Sequence, residues 1–382
     1  MRVLQVHTEY REAGGEDAVV ASEAALLRAG GHEVIQWTNQ NPGGGVATIT
    51  ALLQSPANRG AAKAVAIAAR RAQPDAVHVH NTWYATSPAV FGALQQAVAG
   101  PVVMTLHNYR LTCANGLLLR DGVPCELCVG SGPWNAVRFG CYRDSRPLSA
   151  AAAATISINR RRRSWADGVD RFLALTEFAK GRMEAAGLPV AKLEVKPNFV
   201  PDPGTRKVAA AESHRVLFVG RVASEKGVGT LLEAWAAAAP PGLELVVAGD
   251  GPQFAELQSR AVPGVTLLGR VDRTEVQRLM FESRALVFPS EWYEGMPMTL
   301  LEAFSSGLPV MGSNLGSMTE MLEPFGSRWL AAPGSVDSWA EALANLTEDA
   351  AVADASAIAR RLWEDNYGPE RALANLEHSY RA

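Results

Sequence analysis

The strongest constraint in this chain is a rhythm. Short apolar runs of strand length alternate with helical patterns from one end to the other. The first series reads "RVLQV", "HEVIQWT", "AVHVHN", "PVVMTLH", "RFLAL" and "KLEVKP"; the second reads "RVLFVG", "LELVVAG", "VTLLG", "ALVFP" and "PVMGS". Runs that are apolar almost throughout, rather than at every second position, belong to strands covered on both faces. Helices of ten residues or more between them imply parallel crossovers. Between Asp17 and Arg28, Val20, Ala24 and Leu27 fall on one stripe; a second helix is expected over Glu177 to Ala186. The two series are separated by "NFVPDPGTRKVAAAESH", which has no periodicity. The expectation is an α/β chain of two doubly wound, Rossmann-like domains facing across a cleft. Residues 1–198 form the first, 199–213 a linker, 214–350 the second, and 351–382 terminal helices that could pack on either. A length of 382 residues suits two domains. Ligands of such folds bind at the carboxyl ends of the strands.

Composition removes several function classes. Charged residues make up 20% and the net charge is −3, so nothing global favours nucleic acid. Residues 101–200 are locally basic, with 14 Lys and Arg against 8 Asp and Glu. That excess is either a solvated surface or a peripheral contact with an anionic membrane. The opening "MRVLQVHTEY" lacks the apolar core of a secretory signal, and "PLSAAAAATISI" is too short to span a bilayer. A cytoplasmic chain, peripheral at most to the inner membrane face, is expected.

The residues able to do chemistry gather at strand ends. After "RVLFVG", Arg221 and Lys226 stand five apart before a helix, an arrangement suited to a diphosphate or simply to solvent. "AGDGPQF" contains Gly-x-Gly, but Phe254 occupies the third glycine position of a dinucleotide loop, so a tight turn is the better account. In "EGMPMTLLE", Glu294 and Glu302 flank Pro297, which marks a helix start. Thr299 to Glu302 fits a capping box. In the rival reading, the amides of Met298, Thr299 and Leu300 meet phosphate oxygens at a helix N-terminus. Glu302 then accepts ribose hydroxyls, and Gly295 lets backbone approach a sugar near Glu294.

Taken together, "GRVASEKG", "AGDGP", "LLGRV" and "PSEWYEGMPMTLLEAFSSGLPV" resemble the family 4 retaining glycosyltransferases of the GT-B fold, whose signature is a pair of glutamates eight residues apart. The match is dense over about residues 215–335. "AGGEDAVVASEAALLRAGGHEVIQWT" is similar to that family's first loop and helix, and "TLHNYR" to the strand ending in its active-site histidine. The resemblance implies transfer of a sugar from a nucleotide diphosphate to a glycan or lipid-linked acceptor. It implies Arg221 and Lys226 on the diphosphate, Glu302 on the ribose, Glu294 and His107 on the sugar, and Gly14 and Gly15 shaping the phosphate loop. The chain has no Asp-x-Asp, which suits a site independent of catalytic metal. A covalent route through Glu294 is the alternative to same-face attack. A phosphorylase, an epimerase or a non-catalytic sugar-nucleotide sensor are the alternative activities. Neither UDP nor GDP is legible as the donor nucleotide.

All four cysteines, Cys113, Cys125, Cys128 and Cys141, lie in one window of about residues 108–146, spaced C-x11-C-x2-C-x12-C. A central C-x2-C with two outer thiols suggests a structural zinc, with iron–sulfur and disulfides as alternatives. The window has little apolar periodicity, so a metal would supply the stability a core does not. Two segments weigh less. "NRRRRSW" could meet an acidic headgroup or be a solvated helix end above Trp165, and "HNTWYATSP" could line an acceptor pocket.

Overall fold

The computed structural model describes residues 1–10 and 14–381. It divides into two compact units: residues 1–118, 125–198 and 372–382 form unit 1, and residues 119–124 and 199–371 form unit 2.

Unit 1 holds a six-stranded sheet: β1 (Arg2–Glu9), β2 (Glu33–Gln40), β3 (Ala76–Val79), β4 (Val102–Leu106), β7 (Arg171–Ala174) and β8 (Leu193–Val195). A two-stranded antiparallel hairpin, β5 (Leu119–Arg120) and β6 (Val123–Pro124), interrupts the series. The order is β2-β1-β3-β4-β7-β8, with every pair in this sheet parallel. β3 and β4 are buried along their full length, as unbroken apolar runs require. The first crossover helix, α1 (Gly15–Ala29), sets Val20, Ala24 and Leu27 into the core. Leu27 packs with Val3, Ala76, Val103 and Leu173. Helix α2 (Arg146–Arg161) starts at Ser145, whose side chain accepts from Leu148, and α3 (Glu177–Ala185) at Thr176, whose side chain accepts from Ala179.

Unit 2 repeats the plan with β9 (Arg215–Val219), β10 (Glu244–Ala248), β11 (Val265–Gly269), β12 (Ala285–Phe288), β13 (Val310–Ser313) and β14 (Leu330–Ala331). The order is β11-β10-β9-β12-β13-β14, again parallel throughout. Helix α4 (Val228–Ala238) follows β9 and α5 (Met298–Ser305) follows β12. The last helix, α6 (Pro369–Ser379), belongs mainly to unit 1. Its Leu376 and the following Tyr380 join the Val3 cluster, and Glu377 receives His32 Nε2 at 2.9 Å. Each sheet reverses its winding once, between β1 and β3 and between β9 and β12. Those are the points where a doubly wound sheet opens a crevice at its strands' carboxyl ends.

Every strand read from the apolar runs is present. β14 is missing from that reading because two residues carry no periodicity. No helix among the described residues is long and apolar enough to cross a membrane.

Candidate functional site

In unit 2, the loop after β9 and the loop after β12 meet at the reversal point. Gly227 makes the meeting possible. It sits at φ +67, and a Cβ there would lie 2.1 Å from the carbonyl oxygen of Pro289. The amide of Glu291 donates to the Glu225 carbonyl at 2.9 Å, tying the same two loops together. This contact carries Lys226 to Glu294. Lys226 Nζ lies 2.6 Å from Glu294 Oε1, and its ammonium stands over the rings of Trp292 and Phe288 at 5.2 and 5.6 Å. The same Oε1 accepts from Ser290 Oγ at 2.6 Å and from Trp292 Nε1 at 2.8 Å. Glu294 is buried, so these three donors replace its lost hydration.

Arg221 is different. Its side chain is 62% exposed and, among the described residues, is held only by Glu225, four residues on. A guanidinium so weakly committed is free to turn to an incoming anion. It lines a concavity with Gly220, Gly249, Asp250, Gly251 and Arg270. The two glycines of "AGDGP" are there for packing: a Cβ on Gly249 would lie 1.8 Å from the Gly220 carbonyl oxygen, and one on Gly251 2.4 Å from that of Val222.

The capping box is absent. Pro297 is the N-cap residue of α5 and has no side-chain cap, and Glu302 lies one turn into the helix. Its nearest charge is Arg273, at 3.8 Å. Burial pushes the Glu302 carboxyl up, against the pull of Arg273. The carboxylate therefore does not cap its own helix. Of the three amides expected to meet an anion, that of Leu300 already donates to Pro297 at 3.1 Å. Met298 and Thr299 remain at the N-terminus of α5, where the helix dipole favours negative charge. Gly295 directly follows Glu294 in the loop before it.

Unit 1 contributes a second constellation. His107 closes β4, and its Nε2 lies 3.1 Å from Nδ1 of His80, which follows β3. A pocket beside them is lined by Asn81, Asn108 and Arg110. Behind His80 are Glu23 of α1 and Lys196, ion-paired and both fully buried. Sequence reading placed His107 here but missed His80, Glu23 and Lys196. The available signal was "HVH": two polar residues on one face of a strand otherwise apolar on both faces.

At the start of α1, the Gly14 amide donates to Asp17 Oδ2 at 2.8 Å, and Asp17 Oδ1 lies 2.7 Å from His7 Nε2. Gly15 opens the helix, with nothing within 4 Å of where a Cβ would stand. Glu16 takes bonds from Tyr10 Oη (3.1 Å) and Asn108 Nδ2 (3.4 Å). Burial pushes its carboxyl up to about 8, while the Tyr10 hydrogen bond opposes the rise.

None of Cys113, Cys125, Cys128 and Cys141 takes part in a disulfide. Sulfurs of a tetrahedral zinc site stand roughly 3.8 Å apart, given Zn–S bonds of about 2.3 Å. Among the described residues the group with three ligand atoms within 4.8 Å of one another is Glu23, His78 and His80, not the cysteines. As placed, no three of the thiols come within 4.8 Å of one another. Burial pushes the Cys128 thiol up to about 11, and the thiols of Cys113, Cys141 and Cys125 add to it. The window packs against a core supplied from outside it. Ala114, Ala136 and Tyr142 pack with Leu52, Trp83 and Ala152, and Arg110 stacks over Trp83 at 4.9 Å while donating to the Ala114 and Asn115 carbonyls. The segment is held by side chains from elsewhere in unit 1, which local periodicity does not reveal.

The arginine run ends α2 in solvent: Arg161, Arg162 and Arg163 are exposed, Arg163 pairs with Asp167 at 2.9 Å, and Trp165 is buried beneath.

Comparison with known proteins bears on both units. Residues 14–198 match the model for the glycosyl transferase 4-like domain, and residues 213–349 the model for glycosyl transferases group 1. Glycogen synthase of Mycobacterium tuberculosis is 29% identical over 304 residues, which is 76% of this chain and 64% of that protein. Matched stretches span from 20% to 64% of the first curated relatives' lengths. Among solved structures, sucrose-phosphate synthase from Thermosynechococcus elongatus superposes with a TM-score of 0.70 at 17% identity, covering 100% of this chain and 98% of that one. Anabaena HepE in complex with UDP gives 0.67 at 16% identity, covering 99% of both chains. With both halves matched in order and both sheets wound alike, this chain belongs to the family 4 glycosyltransferases of the GT-B fold.

Proposed function

We propose that the chain transfers a sugar, with retention of configuration, from a nucleotide-diphosphate sugar to an acceptor hydroxyl in polysaccharide or glycoconjugate biosynthesis. The observation that carries this reading is the meeting of Lys226, Glu294 and the N-terminus of α5 where β9 and β12 diverge, with Arg221 loosely held beside them. A sugar leaving its diphosphate builds negative charge on the β-phosphate. Arg221, Lys226 and the Met298 and Thr299 amides supply preorganised positive potential for it, the work a divalent ion does in other transferases. Glu302 suits the ribose hydroxyls, because its carboxylate lacks a close partner.

Glu294 suits a sugar hydroxyl better than a nucleophilic role. Its Oε1 is held by three donors, which lowers its nucleophilicity, and Oε2 remains to accept from a hydroxyl. That favours same-face attack, with the β-phosphate taking the acceptor's proton. The family resemblance assigns His107 to the donor sugar and Gly14 and Gly15 to the phosphate loop. UDP in HepE supports a nucleotide donor here. A lipid-linked or glycan acceptor, and contact of the exposed Arg161 and Arg162 with anionic headgroups, complete the proposal.

The test is release of nucleotide from a panel of UDP- and GDP-sugars, with and without acceptor. Arg221→Ala and Glu302→Ala should each abolish release while leaving the melting temperature unchanged. Full activity in both variants, or no release from any donor, would overturn the reading.

A further inference from the structure

The polar cluster behind His107 is too costly to be incidental. Glu23, His78 and Lys196 are fully buried, and His80 is 3% exposed. Ionised groups in such a position survive only when paired. Burial opposes the charge on Glu23, but Lys196 together with His80 and His107 holds the carboxyl below its usual range. Burial likewise depresses His78, His80 and His107, the last to about 3, so all three imidazoles are neutral at physiological pH. What remains variable in a neutral imidazole is which nitrogen carries the proton.

A metal does not explain the cluster. Glu23, His78 and His80 have ligand spacing, but the Lys196 ammonium already sits on Glu23, and His78 Nδ1 is bound by Tyr380 Oη at 2.8 Å. A second cation would meet the first.

Two buried atoms of this cluster lack hydrogen-bond partners, Glu23 Oε2 and His80 Nε2; His78 Nδ1 also stands 3.6 Å from Glu23 Oε2 but is already bonded to Tyr380. The two unpartnered atoms face each other at 3.7 Å. An ionised carboxylate only accepts. The proton of His80 therefore belongs on Nε2, toward Glu23; a bare Nε2 would set a lone pair against a carboxylate. With Nε2 protonated, His80 Nδ1 is an acceptor, and the 3.1 Å contact to His107 Nε2 is a hydrogen bond only if His107 donates. His107 then carries its proton on Nε2 and leaves Nδ1 bare. We propose that Lys196, Glu23 and His80 form a buried relay of positioning residues that fixes His107 in this single tautomer, so that its Nδ1 accepts a hydrogen bond from a hydroxyl of the donor sugar. The last clause rests on the proposed function; the tautomer does not. The lysine fixes the charge of the glutamate, the glutamate fixes the proton of His80, and His80 fixes that of His107.

The experiment is long-range ¹H–¹⁵N correlation on full-length, histidine-labelled protein, with signals assigned through His80→Gln and His107→Gln. In the wild type, both His80 and His107 should show a protonated Nε2 and a bare Nδ1. A protonated Nδ1 on either one overturns the relay. In the double variant Glu23→Gln, Lys196→Met, the amide can either donate to His80 Nε2 or accept from it, so the single tautomers of His80 and His107 should give way to mixtures. His107 would then present a donor in part of the population where an acceptor is needed. Turnover should fall ~2-fold or more, with affinity for UDP or GDP alone unchanged. Mixed tautomers with wild-type turnover would overturn the role in transfer. If the double variant does not fold, the wild-type spectrum still decides the tautomer. Absence of transfer from every donor would sink the proposed function and leave the relay to be judged by that spectrum.

Discussion

Gly227→Ala tests the claim that one backbone contact assembles the unit 2 site. Gly227 lies at φ +67, where an L-residue costs about 1 kcal/mol over glycine. Its new Cβ would stand 2.1 Å from the Pro289 carbonyl oxygen. Ordinary contact distances are above 3 Å, so the loops must separate by about 1 Å. The atom struck is backbone and cannot rotate aside. Strain and lost contacts together should cost ~3 kcal/mol. For a unit of this size that lowers the melting temperature by roughly 6–12 °C. Separation also pulls Lys226 from Glu294, so nucleotide affinity should drop ~10-fold, about 1.4 kcal/mol. Differential scanning calorimetry and a UDP or GDP titration read the two effects. The control is Gly229→Ala, two residues on and inside α4, where nothing lies within 4 Å. Alanine there should stabilise by up to ~1 kcal/mol through helix propensity. A Gly227→Ala protein melting within about 1 °C of wild type would refute the reasoning.

Glu16 makes a pH prediction with a definite sign. Its folded pKa of about 8 exceeds the ordinary carboxyl value of 4.5, so the folded state holds more protons than the unfolded state between them. Stability should therefore fall as pH rises from about 4.5 to 8 and level off above, by a few kcal/mol at most. Glu16→Gln should flatten that slope in urea titrations across the window; an unchanged slope would show the carboxyl to be ionised when folded. For the cysteine segment, excess chelator under reducing conditions should leave the melting temperature within about 1 °C, because the segment is held by the Trp83–Tyr142 cluster and Arg110. A larger fall would show a structural metal.

The pattern of apolar runs carried the two sheets, because a strand covered on both faces must be apolar at every position whatever its neighbours. It also carried the glutamate pair and the two cations, since short loops at strand ends leave charged residues few other places. What it did not carry depends on atoms far apart in sequence. The cysteine segment reads as coreless until Leu52 and Trp83 are laid against it. Glu302 reads as a cap until Pro297 proves to start the helix without one. The Glu23–Lys196 pair spans 173 positions and leaves no local trace. Covalent periodicity fixes which faces are apolar; only packing brings distant polar groups close enough to set one another's charge and protonation.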